Sequence, residues 1–386
     1  MSERLSRFKL LFIADGPHVS GKEIVTLSQA KGLKALGHKV VVAASKWNDG
    51  DFLKRLNAAQ LPTCILPTGF ITKTWRADAI ALTLKQTLHL PELYFGFLYR
   101  LARLRPDYVF HTNFHHVCLL MPWIKADRDW MIVHEVYSPS RFFSLVFNHI
   151  AESLAGFIAV SVSVASALVA LGICPRRIQI IPNGIELPSL PIEGRKNEGD
   201  WLKVGVVGQI APWKGHEDAI RALKLLAEQG IRVKILIYGA DNGGYSHKLK
   251  LLIGELGLGE HVFWGGYVVE RQRIYENIDV LLVPSCYEEP FGLVAVEAGA
   301  YSLPVIATES GELPNLVENG VTGFVVPKRD PKALAGAIKR LVDAGKRAQM
   351  GAAGHSSVHR RFSAEAMGIN FNQFLMQVSS FEFKVI

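Results

Sequence analysis

Cysteine is scarce in this chain of 386 residues. Cys64, Cys118, Cys174 and Cys286 are the only four, and no two of them form a CxxC pair. That argues against a disulfide framework and a zinc knuckle, and the four read as small core residues of a reducing compartment. Long apolar runs are also missing: no window of eighteen occurs, so no segment is expected to span a bilayer. Met1 to Arg7 leads into a strand-like segment without a signal-peptide core, so the expectation is a cytoplasmic protein. The chain has no GxGxxG, no P-loop and no GxSxG elbow, which removes the simplest dinucleotide, NTPase and hydrolase readings. No solenoid period and no nucleic-acid module is visible.

Acidic residues are short in one half only. Residues 1–190 hold 21 Lys and Arg against 13 Asp and Glu, whereas residues 191–386 hold 22 of each. The whole net charge of +8 therefore belongs to the first half. Within it, Lys54, Arg55, Lys73, Arg76, Lys85, Arg100, Arg103 and Arg105 face only Asp78 and Glu92 between residues 52 and 106. Phe70, Trp75, Leu82, Leu84, Leu88, Tyr94, Phe95, Phe97, Leu98 and Tyr99 are interleaved with them. Such a mixture suits either a pair of amphipathic helices with solvated charges or a surface that lies on an anionic membrane.

At this length two domains of roughly 190 residues are the default, and 49% apolar residues suffice for two cores. Apolar runs alternate with helical periodicity throughout. Strands are expected at Lys9–Ala14, Lys39–Ala44, Thr63–Leu66, Tyr108–His111, Trp130–His134, Phe157–Ser161 and Ile178–Ile181. In the second half they are expected at Lys203–Gly208, Val233–Gly239, His261–Trp264, Val280–Pro284, Pro304–Ala307 and Gly323–Val326. Helices are expected near 216–228, 247–257, 270–277, 293–300 and 331–344. This alternation predicts an α/β protein of two doubly wound parallel-sheet domains, 1–187 and 188–361, joined through Glu186–Asp200. Residues 362–386 carry a last helix that can pack back on the first domain.

In doubly wound folds, ligands sit beyond the carboxyl ends of the strands. The most informative segment there is Glu289-Pro290-Phe291-Gly292-Leu293-Val294-Ala295-Val296-Glu297. Pro290 keeps Glu289 out of helix, Gly292 frees the backbone, and a helix follows from Leu293. Its open N–H groups make an anion site, with one carboxylate in front and Glu297 about a turn and a half inside. That layout suits a sugar nucleotide; the plain alternative is a surface helix with a Glu in its body. Gly208-Gln209 with Lys214-Gly215 follows the first strand of the second half, where Lys214 can reach back to a diphosphate. Asp15 to Glu23, including Ser20, Gly21 and Lys22, joins the first strand to its helix. His134-Glu135 and Pro182-Asn183-Gly184-Ile185-Glu186 end two further strands on the ligand side.

Metal signals are weak. Asp127-Arg128-Asp129 lies before its strand, at the wrong end, and Asp49-Gly50-Asp51 sits in a polar turn. His111 and His115-His116 have ligand-like spacing but no evident carboxylate partner nearby, so no metal is expected.

Taken in order, these segments resemble the retaining glycosyltransferases of family 4, also described as glycosyl transferases group 1, over most of the chain. The resemblance is carried by Gly21 with Glu23, His134, Ala159-Val160-Ser161, Pro182 to Ile185, Gly208, Lys214-Gly215 and Glu289 to Glu297. Pro304 to Ala307, Gly311-Glu312, Asn319-Gly320 and Thr322-Gly323 follow in family order. It implies a GT-B fold, two Rossmann-like domains facing a central cleft, and a hexosyltransferase using a nucleotide-diphosphate sugar. By the family pattern Glu297 holds the ribose, and Glu289 with the Phe291, Gly292, Leu293 and Val294 backbone holds the sugar and phosphate. Lys214 binds the diphosphate, with Gly21, Gly208 and Gln209 lining the donor site, Tyr267 beside the base and His134 beside the transferring sugar. Ser20, Lys22, His111 and Asn183 are the acceptor-side candidates. Two departures stand out: Gln209 replaces a frequent Arg, and Ser20 replaces the first glycine of a Gly-Gly loop.

The implied reaction is same-face transfer to a hydroxyl without metal or other cofactor, the leaving phosphate taking the acceptor's proton. Neither Glu is then a covalent nucleophile. The basic, aromatic-rich first half points to a lipid-linked acceptor or a polysaccharide or glycolipid intermediate. It also points to a place on the inner membrane face, with no nucleic-acid partner. Two rivals use the same architecture: a GT-B sugar-nucleotide epimerase, and a non-catalytic two-domain sugar-nucleotide-binding protein.

Overall fold

The computed structural model describes residues 7–14, 16, 19–69, 77–188, 201–241 and 243–380. Asp15, Pro17 and His18 of the first loop, Phe70 to Arg76 of the basic segment and most of the expected linker lie outside them, as do the side chains of Asp78 and Leu82. The chain divides into two compact units, residues 1–184 with 364–386, and residues 185–363.

The first unit is built on strands β1 (Lys9–Ala14), β2 (Lys39–Ser45), β3 (Thr63–Leu66), β4 (Tyr108–His111), β5 (Asp129–Val133), β6 (Gly156–Ala159) and β7 (Ile178–Ile180). They pair in parallel in the order β3-β2-β1-β4-β5-β6-β7. A parallel sheet covered by helices on both faces needs apolar residues along its middle, which is why β1, β2 and β5 read as apolar runs after one polar residue. On one face Leu11, Ile13 and Val109 pack against Leu93 and Phe97 of the Leu90–Leu104 helix. On the other, Phe12 and Phe110 meet Phe371 of the terminal Ala364–Ser380 helix, with ring centroids 6.0 and 5.1 Å apart. That helix also lies along the Gly21–Ala35 helix, where Gly32 and Gly368 let the two backbones approach.

The second unit is built on β8 (Leu202–Val207), β9 (Val233–Tyr238), β10 (Val262–Gly266), β11 (Val280–Val283), β12 (Val305–Thr308) and β13 (Gly323–Val326). Their order is β10-β9-β8-β11-β12-β13, again all parallel. In both sheets the order of strands thus reverses once, between β1 and β4 and between β8 and β11. This is the crevice where an open α/β sheet holds ligands.

Several expected boundaries move. The helix expected over 331–344 ends at Arg340, and a second one, Ala344–Arg361, follows it. Asp330 and Asp343 each accept an N–H from three residues on, so each starts its own helix. The cysteines depart from the core reading too: all four are free, Cys174 is exposed and the other three are partly covered. No helix of the described residues is long and apolar enough to cross a membrane.

Candidate active site

The second unit assembles its candidates from the loops after β8, β11 and β12. Gly215 comes first, because the loop after β8 must press against the loop after β11. Its φ is +71°, and a Cβ there would stand 1.8 Å from the Pro284 carbonyl oxygen. Cys286 N–H donates to the Trp213 carbonyl at 2.8 Å and locks the two loops together. Lys214 is thereby aimed at Glu289, Nζ to Oε1 at 2.5 Å. Ser285 Oγ donates to the same carboxylate oxygen at 2.5 Å. The Glu289 backbone is held as well: its N–H donates to Ser310 Oγ, and its carbonyl accepts Glu312 N–H at 3.0 Å.

From Glu289 the chain runs into the Leu293–Ala300 helix through Gly292, whose φ is +106° and whose missing Cβ would lie 2.7 Å from Leu313 Cδ2. Gly292 offers no capping side chain, so the first N–H groups of the helix keep their capacity for an anion. Phe291 turns inward and stacks edge-on against Phe362 at 5.7 Å, so only its backbone is available to a ligand. Glu297 follows one turn later. Its Oε2 accepts the Tyr275 hydroxyl at 2.5 Å and lies 3.8 Å from Arg271 Nε. Burial raises the Glu297 carboxyl, while the Arg271 charge and the Tyr275 bond pull it back.

The remaining second-unit candidates lie around this group. Gly208 ends β8 with φ +145°, Gln209 beside it is exposed, and Tyr267 stands 64% exposed in the loop after β10. Ser285, Ser310, Glu312, Tyr275 and Arg271 were not legible as partners of the two Glu residues. None of them belongs to the Glu289–Glu297 segment, and only the fold brings them to it.

In the first unit, Ser20 caps the Gly21–Ala35 helix. Its N–H donates to Glu23 Oε2 at 2.9 Å, and the hydroxyl donates to the same oxygen. The residue that departs from the glycine pattern therefore fixes the helix start. Lys22 Nζ stands 3.9 Å from Glu23 and near His134. His134 follows β5 directly and is half-buried, with Nε2 shielded and making no hydrogen bond. Burial first, and the Lys22 charge second, push its imidazole down to about 3, so it is neutral at ordinary pH.

Two acceptor-side candidates lie buried within their unit. His111 is fully buried, its Nε2 2.8 Å from Asp129 Oδ1, and has no surface to offer an acceptor. Asn183 is 4% exposed. Asp129 is also the carboxylate partner that the sequence did not reveal for His111. It is held in turn by the Lys125 N–H and the Arg128 guanidinium. Asp51 starts the Asp51–Ala58 helix and pairs with Arg55 at 3.0 Å. Among the described residues, no three His, Cys, Asp or Glu side chains gather to hold a metal ion.

The family model for Glycosyltransferase Family 4 matches residues 19–188, and that for Glycosyl transferases group 1 matches residues 192–356. A D-inositol 3-phosphate glycosyltransferase of Acidothermus cellulolyticus is 34% identical over 200 residues, covering 47% of this chain and 44% of that protein. The capsular polysaccharide biosynthesis glycosyltransferase CapM of Staphylococcus aureus is 30% identical over 209 residues, covering 50% and 54%. This chain thus spans about half the length of the curated relatives it matches. Anabaena HepE, solved with UDP and glucose, superposes with a TM-score of 0.75 at 22% identity, over 97% of this chain and 100% of that one. That likeness shows the fold, GT-B, with two parallel-sheet Rossmann-like units.

Proposed function

This chain belongs to the family 4, group 1 glycosyltransferases, and we propose that it moves a hexose from a nucleotide-diphosphate sugar to a hydroxyl acceptor, with retained anomeric configuration and no metal. The observation that carries this reading is the Lys214–Glu289 pair just ahead of the uncapped Leu293–Ala300 helix. Departure of the diphosphate is the step that needs electrostatic help. Lys214 supplies a full positive charge and the helix amides supply partial ones, in a half-buried site where both act strongly. On donor binding Lys214 exchanges Glu289 for a phosphate oxygen. Glu289, still held by Ser285, then accepts from sugar hydroxyls, and Glu297 accepts from the ribose.

The acceptor oxygen bonds to the anomeric carbon on the face that the diphosphate leaves, and its proton passes to the departing phosphate oxygen. On the first unit, His134 serves as a neutral hydrogen-bonding group, because an imidazole that titrates near 3 is no proton donor at neutral pH. That HepE was solved with UDP and glucose supports a nucleotide-sugar donor.

The acceptor in this reading is lipid-linked or part of a growing polysaccharide, which the name of the CapM relative supports. The Ala77–Leu88 and Leu90–Leu104 helices turn Leu84, Leu88, Phe95 and Tyr99 to solvent, Leu88 at 81% and Phe95 at 75%. Lys85, Arg103 and Arg105 are exposed among them. An apolar and cationic face of this kind suits the surface of an anionic bilayer. The test of the reaction is NMR of the product formed in excess chelator. An anomer matching the donor's supports the reading; inversion, a need for metal, or conversion of the donor without acceptor overturns it.

A further inference from the structure

Glu297 is served by two residues from outside its own segment. Only 15% of its side chain is exposed, and one oxygen, Oε2, takes both the Tyr275 hydroxyl and the Arg271 guanidinium. The other, Oε1, has no partner among the described residues. Tyr275 is fully buried, its ring stacked on Tyr301 at 5.1 Å, with the hydroxyl 3.5 Å from the Val294 carbonyl. A tyrosine that served only to join two helices could rest on that carbonyl, yet its hydroxyl lies an ångström nearer the carboxylate. Arg271 opens the Arg271–Glu276 helix with 39% of its side chain exposed, so it can act on the carboxylate from the solvent side.

A carboxylate with one oxygen hydrogen-bonded to a buried hydroxyl and drawn to a nearby guanidinium charge has its rotation fixed and its second oxygen open, which is the arrangement a hydroxyl needs. We propose that Tyr275 and Arg271 are positioning residues that hold Glu297 with Oε1 presented to the nucleotide ribose. They thereby set the preference of this protein for a ribonucleotide over its dideoxy counterpart. The inference rests on the reading of Glu297 as the ribose acceptor.

The arrangement also governs protonation. Burial raises the Glu297 carboxyl, and Arg271 and Tyr275 oppose it. Tyr301, itself raised by burial and then by Glu297 and Glu276, is the other titratable group facing the carboxylate. Removing the Tyr275 hydroxyl shifts Glu297 further up, so ribonucleotide affinity is lost at a higher pH on acidification.

Calorimetry with UDP, GDP and ADP and their 2′,3′-dideoxy forms, from pH 5 to 8, tests this on wild type, Glu297→Gln, Tyr275→Phe and Arg271→Met. Wild type is expected to prefer one ribonucleotide, and Glu297→Gln to lose that preference. Tyr275→Phe should shrink it by about 3- to 10-fold, the scale of a typical net hydrogen bond, and move the acid limb upward. Arg271→Met should shrink the preference more weakly, since its contact is longer, while the lost charge should move the acid limb upward at least as far. Full preference and an unmoved acid limb in Tyr275→Phe, alongside its loss in Glu297→Gln, would overturn the positioning role alone. Full preference in Glu297→Gln would overturn the ribose reading and this inference with it.

Discussion

Lys214 and Glu289, 75 residues apart in the chain, meet at 2.5 Å between Nζ and Oε1. Under the proposed function the pair is a site at rest, with the cation proposed for a diphosphate parked on the carboxylate proposed for the sugar. Its neighbours explain how this is tolerated. Ser285 donates to the same oxygen, and both side chains keep some exposure, 26% for Lys214 and 11% for Glu289.

Lys214→Ala and Glu289→Gln are each expected to lower transfer by at least about 100-fold, the loss typical of removing a transition-state donor or its partner. Circular dichroism should show both variants folded, because neither side chain lies in the apolar core. Near-normal turnover in both would remove this pair from the chemistry.

Gly292→Ala forces an L side chain into φ +106° and against Leu313. It is expected to cost about 1–3 kcal/mol, the range for strained backbone, and to displace the helix start. Thermal unfolding reads the first effect and nucleotide affinity the second. A variant as stable as wild type would contradict the strain argument.

Acid should weaken the fold early. His134 is lowered to about 3 and His216 to about 4, in both cases chiefly by burial. Below the ordinary value near 6.5 the unfolded chain takes up protons that the folded one refuses. This part of the stability is full above that pH and declines as pH falls toward 4 and 3. Denaturant titrations at pH 7 and pH 5 measure it, and His134→Gln should flatten the slope.

Leu88→Glu with Phe95→Glu should abolish co-sedimentation with anionic vesicles at low salt, if the exposed helical face is where the protein meets a bilayer. Wild type should pellet with vesicles rich in anionic lipid and not with neutral ones. No pelleting of wild type would leave a soluble acceptor as the better reading.

Much of this was legible in the sequence, for a physical reason. Strands buried on both faces spell themselves as apolar runs, and Glu289-Pro290 and Gly292 announce a loop, a turn and a helix start by backbone chemistry alone. The Ala344–Arg361 helix was not among the expected elements, which placed one helix over 331–344 and the next from 362. In the fold, Gly351 and Gly354 are where it packs tightly against Ser302 and Gly299. Asp129 was set aside for its place ahead of a strand, yet it is the strand's first residue and the buried partner of His111. Tyr275 and Arg271 carry no local signature, and their meaning comes from the helix they face.

In the proposed function the second unit binds a nucleotide-diphosphate sugar through Lys214, the Leu293–Ala300 helix start and Glu297. A thermal-shift panel of UDP-, GDP-, ADP- and CMP-sugars on wild type, Lys214→Ala and Glu297→Gln tests it most directly. At about a hundred times its dissociation constant, the true donor stabilises by roughly 2.7 kcal/mol, and both variants should lose most of that shift. A panel with no shift, or one unchanged in both variants, would contradict the account.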